Sequence, residues 1–513
     1  MTVREVLRSV VALVPAGARA MLDAPALETP CTGVVYDSRS VTPGSVFVAL
    51  QGQRADGAAF APQAVAAGAA VVVAAEGVPP VEGAAWVPVS DARLALALLA
   101  AEFNGHPSRA MRVIGVTGTN GKTTTAYLMR SILEAAGLKC GLLGTVVYNV
   151  GDRDHEATRT TPEAPDVQRM FRQMISNGCR AAAMEVSSHA LALKRVDATR
   201  FSAAVFSNLT RDHLDFHGDM ESYFQAKRRL FELLPPEAPG VINVDDPRGP
   251  SLVPVVRHAT TYAVKQPADV APEPFELSLR GLTFTARTPR GPVAVRSSMV
   301  GRPNLYNILA AVATGVALDL PMAAIEAGVA NLPGVPGRFQ VVSSPTDDVS
   351  VVVDYAHTDD ALKNLLETAR ALSTGRLITV FGAGGDRDRT KRPLMGAVAG
   401  RMSDVVVVTS DNPRSEDPDA IIAEVLRGIP GAAPRNGSKT SRETTRGPEV
   451  LAIADRGEAV ARAIALARPG DLVIVAGKGH ERTQVIGDRE LPFDDVVASG
   501  EALARRRSTS RAS

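Results

Sequence analysis

Residues 111–124 read Met-Arg-Val-Ile-Gly-Val-Thr-Gly-Thr-Asn-Gly-Lys-Thr-Thr. The run 111–116 is apolar enough for a strand buried on both faces, and from 122 to about 136 the pattern becomes helical. Between them, Gly118-Thr119-Asn120-Gly121-Lys122-Thr123-Thr124 forms a turn of small residues. Such a turn lets backbone N–H groups wrap a phosphate while the helix N-terminus faces the anion. Lys122 would reach the β- and γ-oxygens, and Thr123 would offer a hydroxyl to Mg²⁺. The strict GxxxxGK[ST] pattern fails by one residue, because Val116 occupies the first glycine position and Gly115 lies one step earlier. The strand–turn–helix setting still predicts a phosphate-binding loop.

Outward from this loop, further apolar runs at 181–186, 201–206 and 241–244 alternate with helical patterns. That alternation predicts a doubly wound, mostly parallel sheet. Short alternating runs over 269–300, such as 282–286, read as antiparallel strands appended to it, followed by a helix at 307–318. A second boundary falls near Gly334-Val335-Pro336-Gly337-Arg338, beyond which strands at 350–353, 377–381, 405–408 and 472–475 alternate with helices at 359–372, 391–401 and 418–427. This is a Rossmann-like order, but neither Gly382-Ala383-Gly384-Gly385 nor Gly477-Lys478-Gly479 matches GxGxxG, which disfavours NAD. Toward the N-terminus, strands at 33–36, 45–50 and 71–73 precede a helix at 91–103 and a linker at 104–108. The expected fold is therefore α/β with three domains: a small α/β unit at 1–106, a central P-loop unit at 107–338 and a Rossmann-like unit at 339–513. The Gly-, Pro- and Ser-rich stretch 431–447 reads as an exposed loop, and the basic run Arg505-Arg506-Arg507 as a solvated terminus.

Length agrees, since 513 residues at about 100–200 per domain exceed a single compact unit. Lys plus Arg number 56 against 55 for Asp plus Glu, so a net charge of +1 gives no general pull toward nucleic acid or anionic membrane. The three cysteines show no metal or disulfide spacing. The apolar run Val10–Val14 is too short for a secretory h-region and predicts an amphipathic first helix. The longest uncharged stretch, Gly57 to Ala75, is interrupted by Pro62, Gln63 and Gly68, against membrane insertion. A cytoplasmic monomer is the expectation. Only nine of the 56 basic residues are lysines, which directs attention to each lysine inside a motif.

Four motifs carry a resemblance: Gly118 to Thr124, Glu185-Val186-Ser187-Ser188-His189-Ala190, Asn208-Leu209-Thr210-Arg211-Asp212-His213-Leu214-Asp215 and Asp354-Tyr355-Ala356-His357-Thr358. Together they resemble the Mur ligases of peptidoglycan synthesis over residues 30 to 500, and in particular the members that add the third amino acid. The resemblance implies ATP-dependent amide formation: the D-glutamate γ-carboxylate of UDP-MurNAc-L-Ala-D-Glu takes the γ-phosphoryl group, and an amine attacks the acyl phosphate. ATP would be held by Gly118, Thr119, Asn120, Gly121, Lys122, Thr123 and Thr124, with Asn304, Arg338, Asp354 and His357; Asn304 and Asn307 equally suit pinning a helix. Mg²⁺ would be held by Thr123, Glu185, His213 and Lys227, the last as its carbamate (N6-carboxylysine). Lys122, Lys227 and His213 are the catalytic candidates. From the residues alone, Lys227 reads as a solvent lysine on an amphipathic helix.

The resemblance also implies that Tyr36, Ser38, Gln53, Arg54, Ala55, Arg159, Thr160, Thr161, Ser187 and Arg195 contact the UDP-sugar peptide. Arg387, Asp411, Asn412, Pro413, Arg414, Gly477 and Glu481 would contact the incoming amino acid. In relatives Asp-Asn-Pro-Arg marks addition of meso-diaminopimelate, and Arg414 suits a bidentate grip on its extra carboxylate. Lysine would leave a buried guanidinium unpaired, an expected discrimination of roughly two to three and a half orders of magnitude. The pattern's usual proline after Thr358 is Asp359 here, which bears on the start of the following helix. Alternatives are another amide ligase of the same superfamily, such as folylpolyglutamate synthase, and a nucleotide-gated binding module without catalysis.

Overall fold

The computed structural model describes residues 1–512 apart from 53–55, 280 and 432–446. Gln53, Arg54, Ala55 and nearly all of the 431–447 stretch lie outside the described residues.

Four parallel strands, β1 (Gly33–Val35), β2 (Ser45–Val48), β3 (Val71–Ala75) and β4 (Ala85–Val89), form the first sheet in that order. The helix Ala92–Phe103 covers one face, capped by Asp91, whose carboxylate accepts the Leu94 N–H at 2.9 Å. The uncharged stretch from Gly57 breaks into a 3₁₀ turn, the helix Ala61–Ala66 and β3. The expected first helix is short, Val3–Leu7, and tightens into a 3₁₀ segment at Arg8–Leu13. No helix among the described residues is long and apolar enough to cross a membrane.

The central sheet has eight strands: β5 (Arg112–Thr117), β6 (Cys140–Leu143), β7 (Val147–Asn149), β8 (Asp154–Glu156), β9 (Ala181–Glu185), β10 (Ala203–Phe206), β11 (Pro239–Asn243) and β12 (His258–Tyr262). Their order is 12-11-10-5-9-6-7-8, parallel except at the β6–β7 and β7–β8 pairs. From β5 the chain crosses past β9 to β6, and from β9 it crosses back to β10. The order therefore reverses at β5, and the C-terminal ends of β5, β9 and β10 open a crevice there. The helix Lys122–Ala135 fills the layer on one face and packs on the helices Arg302–Ala317 and Met322–Asn331. Arg302–Ala317 is apolar almost all round because neighbours surround it.

The antiparallel strands expected as an appendage form a separate sheet instead. β15 (Gly281–Arg287) pairs with β13 (Ala271–Pro272), β14 (Glu276–Ser278) and β16 (Val293–Ser297). Its alternation, with Leu282, Phe284 and Ala286 buried, gives β15 one apolar face, which joins the core with the helices rather than extending the parallel ladder.

The third sheet comprises β17 (Gln340–Val341), β18 (Ser350–Asp354), β19 (Leu377–Phe381), β20 (Val405–Val408), β21 (Glu449–Ala452) and β22 (Leu472–Ala476) in the order 17-18-22-19-20-21. Only β17 is antiparallel. Loops after β18, β22, β19 and β20, four adjacent strands, leave the sheet at its C-terminal edge. A hairpin of β23 (Thr483–Ile486) and β24 (Arg489–Pro492) follows.

The basic tail is not simply solvated. It belongs to the helix Asp495–Ala512, where Arg506 pairs with Asp348 at 2.6 Å and donates to the carbonyls of Ile464 and Ala467. At this helix's start Asp495 receives two hydrogen bonds, 2.8 and 2.7 Å, from Arg456, and neither side chain is exposed. Arg456→Met would leave that carboxylate buried without its cation. A destabilisation of about 3–5 kcal/mol is expected, measured by denaturant unfolding.

Candidate active site

Two glycines let the phosphate loop close up. Gly118 and Gly121 have φ of 146° and 87°; a Cβ on the first would lie 1.9 Å from Ser207 Oγ, and one on the second 2.3 Å from Asn307 Oδ1. The segment after β10 staples the loop from one side. Asn208 Oδ1 accepts the Asn120 N–H at 2.9 Å, Asn208 Nδ2 donates to Asn120 O, and Ser207 Oγ donates to the same carbonyl at 2.6 Å. Lys122 curls over the loop onto the carbonyls of Gly118 and Thr119, at 3.0 and 2.9 Å. Desolvation lowers the pKa of its amine, opposed by Glu185 and Asp212.

Lys227 is the residue that reading its helix in isolation misplaces. Only 1% exposed, its Nζ donates to Gly118 O at 2.7 Å and lies 4.4 Å from the centre of the Tyr223 ring. Two lysines thus converge on one loop carbonyl. Burial, with Lys122 adding to it, drives the Lys227 amine well below its ordinary pKa.

Glu185, at the end of β9, is 1% exposed and accepts from the backbone N–H and hydroxyl of Thr145 at 2.7 and 3.2 Å. His213 has φ of 55°, with Nε2 3.3 Å from Asp212 Oδ2. Partial burial brings its imidazole pKa down to about 4, overriding the pull of Asp212, so the ring is neutral at pH 7. Among the described residues no three His, Cys, Asp or Glu side chains form a ready-made metal cage. The donors around the phosphate loop are the Thr123 hydroxyl, the Glu185 carboxylate and the neutral His213 ring. That set fits Mg²⁺, which keeps waters and completes its shell with substrate phosphate oxygens.

At the junction with the third unit, Arg338 donates to Thr123 Oγ1 at 3.2 Å, and its guanidinium lies 4.5 Å from the centre of the Tyr355 ring. Asp354, at the end of β18, accepts the N–H groups of Phe339 and Ala356, and desolvation raises its pKa against the effect of Arg338. His357 Nδ1 lies 2.9 Å from Tyr355 O. Asn304 is turned toward its own helix: it donates to Val300 O at 2.8 Å and accepts from Asn307 Nδ2 at 3.0 Å, the helix-pinning arrangement. Asp359 starts the next helix in place of the proline. Thr358 caps it, and Asp359 pairs with Arg211 at 2.9 Å.

Of the residues expected at the UDP-sugar peptide, Arg159 and Arg195 both pair with Glu163, the latter at 2.7 Å. Arg195 also donates to Thr161 O, and Thr161 Oγ1 meets Glu185 O and Ser187. Thr160 Oγ1 lies 3.1 Å from Thr145 Oγ1. Tyr36 reaches this cluster from the first unit, where burial, then Asp166 and Glu163, push its phenol to about 12. Ser38 instead donates to Gln63 at 2.9 Å, within its own unit.

The acceptor candidates share the C-terminal edge of the third sheet. Arg414, at φ of 51°, donates to Gly385 O at 2.8 Å and Asn412 O at 3.4 Å. It is half-buried, with backbone acceptors to hand, rather than the buried guanidinium expected. Arg387 lies beside it: a Cβ on Gly384 would sit 3.2 Å from Arg414 Nη1 and 3.6 Å from Arg387 Cγ. Pro413 lies against Gly385, while Gly477 lies against Asp411. Sequence reasoning assigned no role to Lys478, which is 0% exposed and donates to Asn412 Oδ1 and Glu481 Oε2, both at 3.0 Å. It also missed Thr145, whose position on the β6–β7 turn no motif signals. The glycines around Lys478 were the available signal for that residue.

This geometry, a phosphate loop at a sheet's switch point facing a second α/β unit with its own strand-end loops, is that of a nucleotide-binding enzyme. Three family models match the chain: Mur ligase family, catalytic domain, at residues 30–104; Mur ligase middle domain at 116–315; and Mur ligase, glutamate ligase domain, at 337–479. The chain belongs to the Mur ligase family. Among its relatives, the UDP-N-acetylmuramoyl-L-alanyl-D-glutamate–2,6-diaminopimelate ligase of Gloeobacter violaceus is 47% identical over 478 residues, 93% of this chain and 94% of that protein. The ligase of the same name from Geobacter metallireducens is 47% identical over 471 residues, 90% and 92% of the two chains. A solved structure of a protein with that name aligns at a TM-score of 0.66 and 34% identity, covering 94% of this chain and 97% of that one. MurF from Acinetobacter baumannii, 19% identical over 93% of this chain and 95% of that one with a TM-score of 0.63, shares the fold.

Proposed function

We propose that the chain joins meso-2,6-diaminopimelate to the D-glutamate γ-carboxylate of UDP-MurNAc-L-Ala-D-Glu with ATP, as a monomer in the cytoplasm. The observation that carries this reading is the convergence of Lys122 and Lys227 on the Gly118 carbonyl, in a chain 47% identical to ligases of that name over nine-tenths of its length. Residues 1–106 would bind the uridine end, 107–338 the nucleotide and 339–513 the amino acid.

In this reading a γ-carboxylate oxygen attacks the γ-phosphorus of ATP, the bond to the ADP oxygen breaks, and an acyl phosphate forms. The diaminopimelate amine, its ammonium form having lost one proton, attacks the acyl carbon; the bond to the phosphate oxygen breaks, and inorganic phosphate leaves with the second proton shed by the nitrogen. Carboxylate and amine do not condense unaided in water, so activation and positioning are what the protein supplies. Lys122 is placed to trade the loop carbonyls for the transferring phosphoryl oxygens, offsetting their charge. Arg338, its guanidinium over Tyr355 of the third unit, reaches Thr123 and would meet the same phosphates. Mg²⁺, when bound, would neutralise phosphoryl charge; Thr123, Glu185, His213 and a Lys227 carbamate would hold it. Carbamate formation joins the amine nitrogen to carbon dioxide and releases one proton, so the lowered Lys227 pKa favours it by supplying neutral amine. At the other end, Arg387 and Arg414 offer guanidinium groups to the carboxylates of diaminopimelate. Phosphate release that requires both the UDP-dipeptide and an amino acid, with a UDP-tripeptide as product, tests the reading; phosphate release that needs neither sinks it.

A further inference from the structure

One lysine flagged by the sequence has no part in the chemistry above. Lys391 begins the helix Lys391–Met402, and its Nζ lies 3.3 Å from Asp212 Oδ1, on the central unit's loop that carries His213. The same Oδ1 accepts the His213 backbone N–H at 2.9 Å, while Oδ2 faces His213 Nε2 at 3.3 Å. Asp212 therefore touches His213 at backbone and ring, and its charge is met from a distant part of the chain. Only 12% of the Asp212 side chain and 23% of Lys391 are exposed, so the attraction is screened less than at an open surface.

The adjacent residue faces the acceptor loops. Arg392 is 1% exposed; it donates to Glu416 at 2.7 and 2.9 Å, to Glu424 at 2.8 Å and to Gly384 O at 3.1 Å. Glu416 in turn accepts the Asp386 N–H at 2.7 Å. These bonds join the loop of Arg387 to the loop of Arg414. One helix start thus grips the acceptor loops through Arg392 and reaches the nucleotide side through Lys391. Two further contacts, Arg211 to Asp359 at 2.9 Å and Asn120 Nδ2 to Asp360 Oδ2 at 3.4 Å, tie the central unit to the start of the neighbouring helix Asp359–Leu372.

We infer that Lys391 is a positioning residue, which fixes the Asp212 carboxylate so that His213 keeps one orientation beside the phosphate loop and ties that orientation to the acceptor loops. Its kinetic consequence rests on the proposed ligase reaction; its effect on metal binding does not. The test uses the full chain with Lys391→Met and Lys391→Arg, read by Mn²⁺ binding in the presence of ADP (electron paramagnetic resonance) and by ligation kinetics. Lys391→Met is expected to weaken Mn²⁺ binding about tenfold and to lower kcat about thirtyfold, with KM for the amino acid within about threefold. Lys391→Arg, which keeps a cation at Asp212, recovers both to within about threefold, and Asp359→Asn, which cuts only the neighbouring pair, leaves both within about twofold. Should Lys391→Met melt early, Lys391→Gln takes its place. Parental Mn²⁺ affinity in the neutral variant, equal losses in the Met and Arg variants, or an equal loss in Asp359→Asn would each overturn the inference. If the parent fails to ligate, the ligase reading falls, and the Mn²⁺ measurement still decides the role of Lys391.

Discussion

Lys227→Ala is expected to lose about a hundredfold or more of kcat, the upper end of what losing a group around a metal site costs, while the protein stays folded and still binds nucleotide. The deletion removes both the proposed carbamate and the amine that meets the Gly118 carbonyl. Short carboxylates such as formate or acetate fit the space left by the side chain and restore an anionic oxygen, so they should recover part of the rate. Lys227→Arg should not act as a substitute, because a guanidinium with a pKa above about 12 stays protonated and forms no carbamate. A parent-like rate in the unrescued alanine variant would remove the role assigned to Lys227. The sign of the pH dependence follows from burial. Since the folded pKa lies below that of an ordinary lysine, neutral amine is available at lower pH than usual, and carbamate-dependent activity falls as pH drops through that depressed value.

Arg414→Ala should lower kcat/KM for meso-diaminopimelate by about one to two orders of magnitude, at roughly 1.5–3 kcal/mol for a charge-assisted contact, while barely changing the low rate with L-lysine. The half-buried setting of Arg414 is why this is smaller than the roughly two to three and a half orders of magnitude expected for a buried guanidinium. With Gly385 and Asn412 carbonyls beside it, the guanidinium is not stranded when the ligand carboxylate is missing. Its backbone is held on both sides, by Val485 O at 3.0 Å and the Gly487 N–H at 2.6 Å, which keeps a non-glycine residue at φ of 51°. Arg414→Lys would recover little, since an ammonium does not reproduce the two-pronged geometry. Equal losses with both amino acids would assign Arg414 a purely structural role.

What the sequence makes legible follows physical range. The stretch around Gly118 is local: a buried strand, a small-residue turn and a helix follow one another from Arg112 to Ala135, so periodicity and turn chemistry suffice. Strands β18, β19, β20 and β22 of the third sheet are legible because they are short apolar runs buried on both faces. Strands β17 and β21 and the β23–β24 hairpin escape because they are short or half-exposed edge elements with little apolar signal. Lys227 shows the limit most clearly: an amphipathic helix places a lysine on a face, but only the arrival of Gly118 from 109 residues away makes that face the inside of a site. Arg506, Lys391 and Lys478 are similar, since each meets partners that one-dimensional pattern does not connect. The Asp-Asn-Pro-Arg motif marked the acceptor loop, whereas the depth of Arg414 required the structure.

The most direct test of the central claim is ADP release with UDP-MurNAc-L-Ala-D-Glu and either meso-diaminopimelate or L-lysine as acceptor. Turnover is expected to depend on the dipeptide nucleotide, with kcat/KM at least about tenfold higher for diaminopimelate. Equal kcat/KM for the two amino acids, or no ADP release with the dipeptide nucleotide, would contradict that claim.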